Sequence, residues 1–119
     1  MLLVDDDASV RRVLERWLSR CGATVYQAGD AEGASLVIDR ERDGLDLVIS
    51  DVDLPDRTGI WVAGLVRRVA LRTPVILITG GDLDDCRPAD LLLRKPLDLG
   101  ELGRRAQALL TTRDGGAER

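Results

Sequence analysis

The sequence predicts an α/β fold in which a five-stranded parallel sheet carries helices on both faces. Short apolar runs rich in β-branched residues alternate with segments whose apolar residues recur every three or four positions, which is typical of strands and helices in a parallel sheet. The run at residues 45–50 is almost continuously apolar, as expected for a central strand that is covered on both faces. The 119 residues are enough for one domain of this kind.

The first half of the chain contains three predicted strands and two predicted helices. The first helix follows three- and four-residue apolar steps that begin at Val10, and Gly22 ends it. Asp30 is a suitable N-cap for the second helix, because its carboxylate can accept hydrogen bonds from the first turn, and Gly44 closes that helix. The predicted elements are strands 2–4, 24–28 and 45–50 and helices 10–21 and 31–42.

The second half contains two predicted strands and two predicted helices. Because helices that connect parallel strands use right-handed crossovers, we predict a flavodoxin-like doubly wound sheet with strand order 2-1-3-4-5. One domain should occupy residues 1–110, and the polar residues 111–119 should form a tail or the start of a linker. The predicted elements are strands 75–78 and 91–93 and helices 60–69 and 99–110.

Composition argues against several classes of function. A net charge of −4 at pH 7 is unlike that of a nucleic-acid-binding surface, and no apolar run is long enough to span a bilayer. The absence of histidine excludes a Ser-His or Cys-His nucleophile system. Cys21 and Cys86 are far apart in sequence, so we expect reduced thiols in a cytoplasmic protein.

Acidic residues follow two of the predicted strands. Asp5, Asp6 and Asp7 come directly after the first strand, and Asp51 follows the third. Ligands of such sheets bind outside the carboxyl ends of the strands, so these carboxylates should lie together at the usual position of a site. Clustered carboxylates stay ionised when a cation lies among them, and an all-oxygen set suits Mg²⁺. We interpret Asp7 as an acid at the start of the first helix rather than a ligand.

Lys95 is the only lysine in the chain, whose other sixteen basic residues are arginine. It follows the fifth strand, where its compact ammonium group could reach a phosphate or a carboxylate. The bond between Lys95 and Pro96 is a candidate for cis geometry, which would aim the ammonium group inward.

The chain contains four short segments in a fixed order: Leu3-Val4-Asp5-Asp6-Asp7, Ile49-Ser50-Asp51-Val52-Asp53-Leu54-Pro55 with Gly59, Ile78-Thr79-Gly80, and Lys95-Pro96. In this order they resemble the receiver domain of two-component response regulators, over residues 2 to about 110. The resemblance implies that Asp51 accepts a phosphoryl group from a phosphohistidine of a sensor histidine kinase, in a Mg²⁺-dependent reaction. It also implies slow self-catalysed loss of that group, without the activity of a conventional enzyme.

The same resemblance gives each site residue a role. Mg²⁺ would be bound directly by the carboxylates of Asp6 and Asp51, through water or directly by that of Asp5, and by the backbone carbonyl of Asp53. Thr79 and Lys95 would each contact a phosphoryl oxygen. The implied partners are the sensor kinase and either an output domain or a second receiver, with no direct contact to nucleic acid or membrane.

The chain departs from the family pattern between Thr79 and Lys95. This stretch is several residues short, and its two glycines, a proline and the three neighbouring acidic residues Asp82, Asp84 and Asp85 predict that the fourth helix is shortened or missing. Leu92 replaces the aromatic residue that receivers use in switching. Both departures lie in the region that the family uses for output.

Two alternatives assign other functions to these residues. The first is a phosphorylation-independent receiver-like interaction module, which the presence of every phosphoacceptor residue argues against. The second is a phosphatase of the haloacid dehalogenase type, since Asp51 and Asp53 fit its Asp-x-Asp pair. Pro55 stands where that motif has Thr or Val, and the chain is too short for the remaining site.

Overall fold

A computed structural model describes residues 1–20, 22–70 and 72–117. In these ranges the chain forms five strands and four helices, so the predicted fold is confirmed. Each predicted element is found, with bounds that differ by a few residues. The elements are β1 Leu2–Val4, α1 Ala8–Ser19, β2 Tyr26–Ala28, α2 Ala31–Glu41, β3 Val48–Asp51, α3 Gly59–Val69, β4 Val75–Thr79, β5 Leu91–Arg94 and α4 Leu99–Ala117.

The sheet is parallel throughout, with strand order β2-β1-β3-β4-β5 as predicted. Its register aligns the carboxyl ends of the strands: Val4 pairs with Ser50, and Asp51 pairs with Ile78. Thr79 in turn pairs with Arg94. The acidic residues after β1, the end of β3, the end of β4 and Lys95 therefore lie along one edge of the sheet.

Two apolar layers cover the sheet because successive side chains of a strand point to opposite faces. On one face α2 and α3 pack over Leu2, Val4, Val48 and Leu77. On the other face α1 and α4 pack over Leu3, Ile49, Ile76 and Leu93. These eight strand residues are all buried, so packing on both faces holds the carboxyl edge of the sheet in place.

Within the described residues, no helix connects β4 to β5. A loop at residues 80–90 joins β4 to β5, as the shortened sequence predicts. Leu83, Cys86 and Ala89 from this loop pack against the apolar layer of α2 and α3, next to Leu92. Three apolar side chains of the loop thus cover part of this apolar layer, which a helix would cover in a complete receiver fold.

The largest differences from the predicted bounds are in β3 and α4. Strand β3 begins at Val48 rather than residue 45 and includes Asp51, because Asp51 is still paired with β4. Helix α4 continues to Ala117, so the expected polar tail is helical as far as the structure describes it. Cys21, where the first helix was predicted to end, lies outside the described residues. No helix in the described ranges is long and apolar enough to cross a membrane.

Candidate functional site

Three carboxylates meet at the ends of β1 and β3. Asp5, Asp6 and Asp51 each offer an oxygen, and these oxygens lie within 4.8 Å of one another. Asp5 and Asp51 are buried, whereas Asp6 is exposed. The set is open to solvent on the side of Asp6, so an ion could enter while retaining water molecules.

Backbone groups orient the first of these carboxylates. The N–H of Asp7 donates to Asp5 Oδ1 at 2.9 Å, and Arg11 Nη1 donates to the backbone carbonyl of Asp5. The Asp7 carboxylate points elsewhere, accepting hydrogen bonds from the N–H groups of Ser9 and Val10 as the N-cap of α1. Asp7 therefore serves the helix, in agreement with its interpretation from the sequence.

The surroundings of Asp5 disfavour its ionised form, which a bound cation would stabilise. Burial raises its pKa, the hydrogen bond from Asp7 N–H lowers it, and the nearby charge of Asp51 raises it again, with a net rise. The residues thus fit Mg²⁺, a hard ion that binds to carboxylate oxygens and usually keeps several water molecules.

Both oxygens of Asp51 have a partner. Asp51 Oδ1 accepts from the N–H of Asp53 at 3.0 Å, and Asp51 Oδ2 accepts from Lys95 Nζ at 2.9 Å. The hydrogen bond to Asp51 is the largest cause of a raised pKa at Lys95, so the ammonium group stays charged. The bond between Lys95 and Pro96 is cis, as predicted. Asp53 itself is exposed, and its carboxylate is not part of the acidic set.

Thr79 lies at the end of β4, beside Lys95. Its side chain is buried, and Thr79 Oγ1 accepts a hydrogen bond of 3.0 Å from the N–H of Gly81. A polar cleft of about 500 Å³ opens at this point, large enough for a phosphoryl group and water. The cleft is lined by Thr79, Gly80, Gly81, Asp82, Asp84, Arg94 and Lys95.

The structure brings together Asp5, Asp6, Asp51, Thr79 and Lys95 at one edge of the sheet, with the backbone of Asp53 bound to Asp51. Sequence reasoning missed two arginines beside the site. Arg11 holds the Asp5 backbone, and Arg94 holds the loop after Thr79. One feature of the sequence could have indicated Arg94, because it directly precedes the lone lysine at the end of an edge strand.

Comparison with known proteins agrees with this geometry. The family model of the response regulator receiver domain matches residues 1–106. The response regulator MprA of Mycolicibacterium vanbaalenii is 38% identical over 125 residues, covering 98% of this chain and 53% of the relative. The transcriptional regulatory protein CpxR of Escherichia coli is 36% identical over 116 residues, covering 92% of this chain and 48% of the relative.

Solved structures show the same architecture. The receiver domain of the hybrid histidine kinase CckA is 31% identical, with a TM-score of 0.81 and coverage of 92% of this chain and 96% of that one. A CheY-like receiver domain protein from Methanospirillum hungatei, at 22% identity, shows the fold alone, with a TM-score of 0.90 and coverage of 97% and 95%.

The fold and the matched residues define a signalling domain rather than a conventional enzyme. This chain belongs to the response regulator receiver domain family of two-component systems. It spans about half or less of the length of the curated relatives named above.

Proposed function

We propose that Asp51 accepts a phosphoryl group from a phosphohistidine of a sensor histidine kinase, in a reaction that requires Mg²⁺. The observation that carries the proposal is the position of the Asp51 carboxylate. It lies between an acidic pair on one side and the Lys95 ammonium group, at 2.9 Å, on the other. A phosphoryl group on Asp51 would thus have the Lys95 ammonium group on one side and, with Mg²⁺ bound by the acidic pair, the positive charge of the ion on the other.

Four residues would hold the ion. The carboxylates of Asp5, Asp6 and Asp51 supply side-chain oxygens, and Asp53 supplies its backbone carbonyl, as the family resemblance implies. When bound, the ion would neutralise charge on the phosphoryl oxygens. The repulsion among the three carboxylates provides a reason for the site to bind it, because the ion relieves that repulsion.

Phosphoryl transfer asks mainly for an in-line nucleophile and for charge neutralisation. A carboxylate oxygen of Asp51 would form a bond to phosphorus while the bond from phosphorus to the histidine nitrogen breaks, and the electron pair leaves with the imidazole. Lys95 would exchange its hydrogen bond with Asp51 for one with a phosphoryl oxygen. Thr79, whose hydroxyl retains its hydrogen for donation, would contact another.

The acyl phosphate would be lost by slow hydrolysis, with water attacking phosphorus from the cleft beside Gly81.

The partner that supplies the phosphoryl group is a sensor kinase, and the partner that responds to it is an output domain or a second receiver. We propose a cytoplasmic location for this exchange, on the grounds of the reduced cysteines expected from the sequence.

The proposal is tested with a small phosphoryl donor. Wild-type protein incubated with acetyl phosphate and Mg²⁺ should gain the mass of one phosphoryl group, and EDTA should prevent the gain. Asp51→Asn should abolish labelling, whereas Asp43→Asn, a change to an exposed aspartate away from the site, should not. A folded wild-type protein that gains no mass would favour the phosphorylation-independent interaction module instead.

A further inference from the structure

Arg94, the last residue of β5, clamps the loop that follows Thr79. Its Nη1 donates to the backbone carbonyl of Gly81 and its Nη2 to that of Leu83, both at 2.8 Å. Nη2 also lies 3.9 Å from Asp84 Oδ1. One guanidinium group therefore joins the end of the edge strand to three positions of the loop.

Arg94 binds the same residue whose N–H contacts the Thr79 hydroxyl. The Gly81 residue whose carbonyl is bound by Arg94 also donates its N–H to Thr79 Oγ1 at 3.0 Å. A hydroxyl group has two lone pairs and one hydrogen. With one lone pair occupied by the Gly81 N–H, the hydrogen of Thr79 is left to donate toward the cleft.

The backbone conformation of this loop is weakly restrained by its own sequence, so the hydrogen bonds from Arg94 matter. Gly80 and Gly81 have wide conformational freedom, and the loop contains no helix whose hydrogen bonds would fix them. Arginine suits the task, since its planar fork can bind two carbonyl oxygens at once. The donors of Arg94 that face the loop are thus used on backbone carbonyls, unlike the ammonium group of Lys95, which faces Asp51.

We propose that Arg94 is a positioning residue for phosphoryl transfer, which fixes Gly81 through its carbonyl and so orients the Thr79 hydroxyl, bound by the Gly81 N–H, toward a phosphoryl oxygen. This inference rests on the proposed function of Asp51. Arg94 would take over, from the edge strand, the support that the missing fourth helix would give to this loop.

A double-mutant cycle tests the inference, with the rate of labelling by phosphoramidate and Mg²⁺ as the readout. Arg94→Met keeps the length of the side chain and removes its donors, and it should slow labelling about five- to tenfold, the effect of losing one or two hydrogen bonds. Arg94→Lys, which retains one charged donor, should restore part of the rate. Thr79→Val should be slow by itself, and Arg94→Met should add no further slowing to it.

Arg87→Met is the matched control. Arg87 belongs to the same loop but is highly exposed and pairs with Asp85, so its loss should leave the rate unchanged. Magnesium affinity, measured by calorimetry, should be equal in wild type and Arg94→Met, because Arg94 touches none of the three carboxylates.

The outcomes separate this inference from the function on which it rests. If wild-type protein is labelled and Arg94→Met is labelled equally fast, only the role of Arg94 is wrong. Three other results would also overturn it. Arg94→Met could slow labelling as much in the Thr79→Val background as in wild type, or Thr79→Val could itself be labelled at the normal rate. The third is weakened Mg²⁺ binding in Arg94→Met. If wild-type protein cannot be labelled, the proposed function and this inference both fail.

Discussion

At Gly59 the third helix begins directly against the backbone of Asp51. The N–H of Gly59 donates to the carbonyl of Val52 at 2.8 Å. A Cβ atom at this position would overlap with the carbonyl oxygen of Asp51 and lie 3.0 Å from the Cα of Val52. The missing side chain thus allows α3 to pack against the strand end that carries the candidate nucleophile.

Gly59→Ala should therefore lower the free energy of unfolding by about 2 kcal/mol, since overlap with backbone atoms forces the helix or the strand end to shift. Gly64→Ala in the same helix is the matched control. A Cβ at Gly64 meets no atom within 4 Å, so alanine should be neutral or stabilise by up to about 1 kcal/mol. Urea unfolding measures both, and equal effects of the two substitutions would contradict the packing argument.

The carboxylate cluster predicts a gain in stability when one charge is removed. Burial and the charge of Asp51 raise the pKa of Asp5, so its ionised form is disfavoured in the folded state. Stability should fall as pH rises from the unfolded value of 3.8 through the folded pKa. At pH 7 without Mg²⁺, Asp5→Asn should raise the free energy of unfolding by about 1 kcal/mol, while Asp43→Asn changes little.

With saturating Mg²⁺, wild type should become more stable than Asp5→Asn, because only the wild-type cluster gains the full free energy of binding the ion. Thermal unfolding with and without the ion gives both comparisons. A variant that is less stable than wild type in EDTA would show that Asp5 does not suffer net repulsion.

Among the elements, α2 is tied to the β3–α3 loop by Asp56. The carboxylate of Asp56 accepts hydrogen bonds of 2.9 Å from the N–H groups of Ala31 and Glu32, while Asp30 caps the same helix through Gly33. Asp30 could be predicted from its position before a helix, because an N-cap is a local signal. Asp56 could not, because it reaches α2 from 25 residues away in sequence.

The hydrogen bond from Ala31 N–H, with others from Glu32 and Arg57, lowers the pKa of Asp56 below its usual value of 3.8. A lowered pKa means that ionised Asp56 stabilises the fold above pH 3.8 and that this contribution is lost as pH falls through the folded pKa. Asp56→Ala should therefore lower the melting temperature at pH 7, by an amount that shrinks toward pH 3. The same exposed control, Asp43→Ala, should show no such pH-dependent difference, and a deficit in Asp56→Ala that is constant with pH would exclude the capping role.

Across the whole molecule, the sequence predicted what depends on periodicity and on strand ends. The strand order and the meeting of Asp5, Asp6, Asp51 and Lys95 follow from apolar patterns and from parallel register. The loop in place of the fourth helix follows from the short, glycine-containing stretch that departs from the receiver pattern. Apart from helix N-caps, contacts made through backbone groups were not predictable, because an N–H or a carbonyl carries no residue-specific signal. The N–H of Gly81 on Thr79, and hence the part played by Arg94, belong to this group.

The central claim is that Asp51 carries the phosphoryl group. The most direct test is to label the protein with phosphoramidate and Mg²⁺, reduce the acyl phosphate with borohydride, and map the peptides by mass spectrometry. Reduction converts a phosphorylated aspartate to homoserine, so we expect homoserine in place of Asp51 and unmodified aspartate at Asp5, Asp6 and Asp53. Homoserine at one of those three positions, or labelled protein with Asp51 intact, would contradict it.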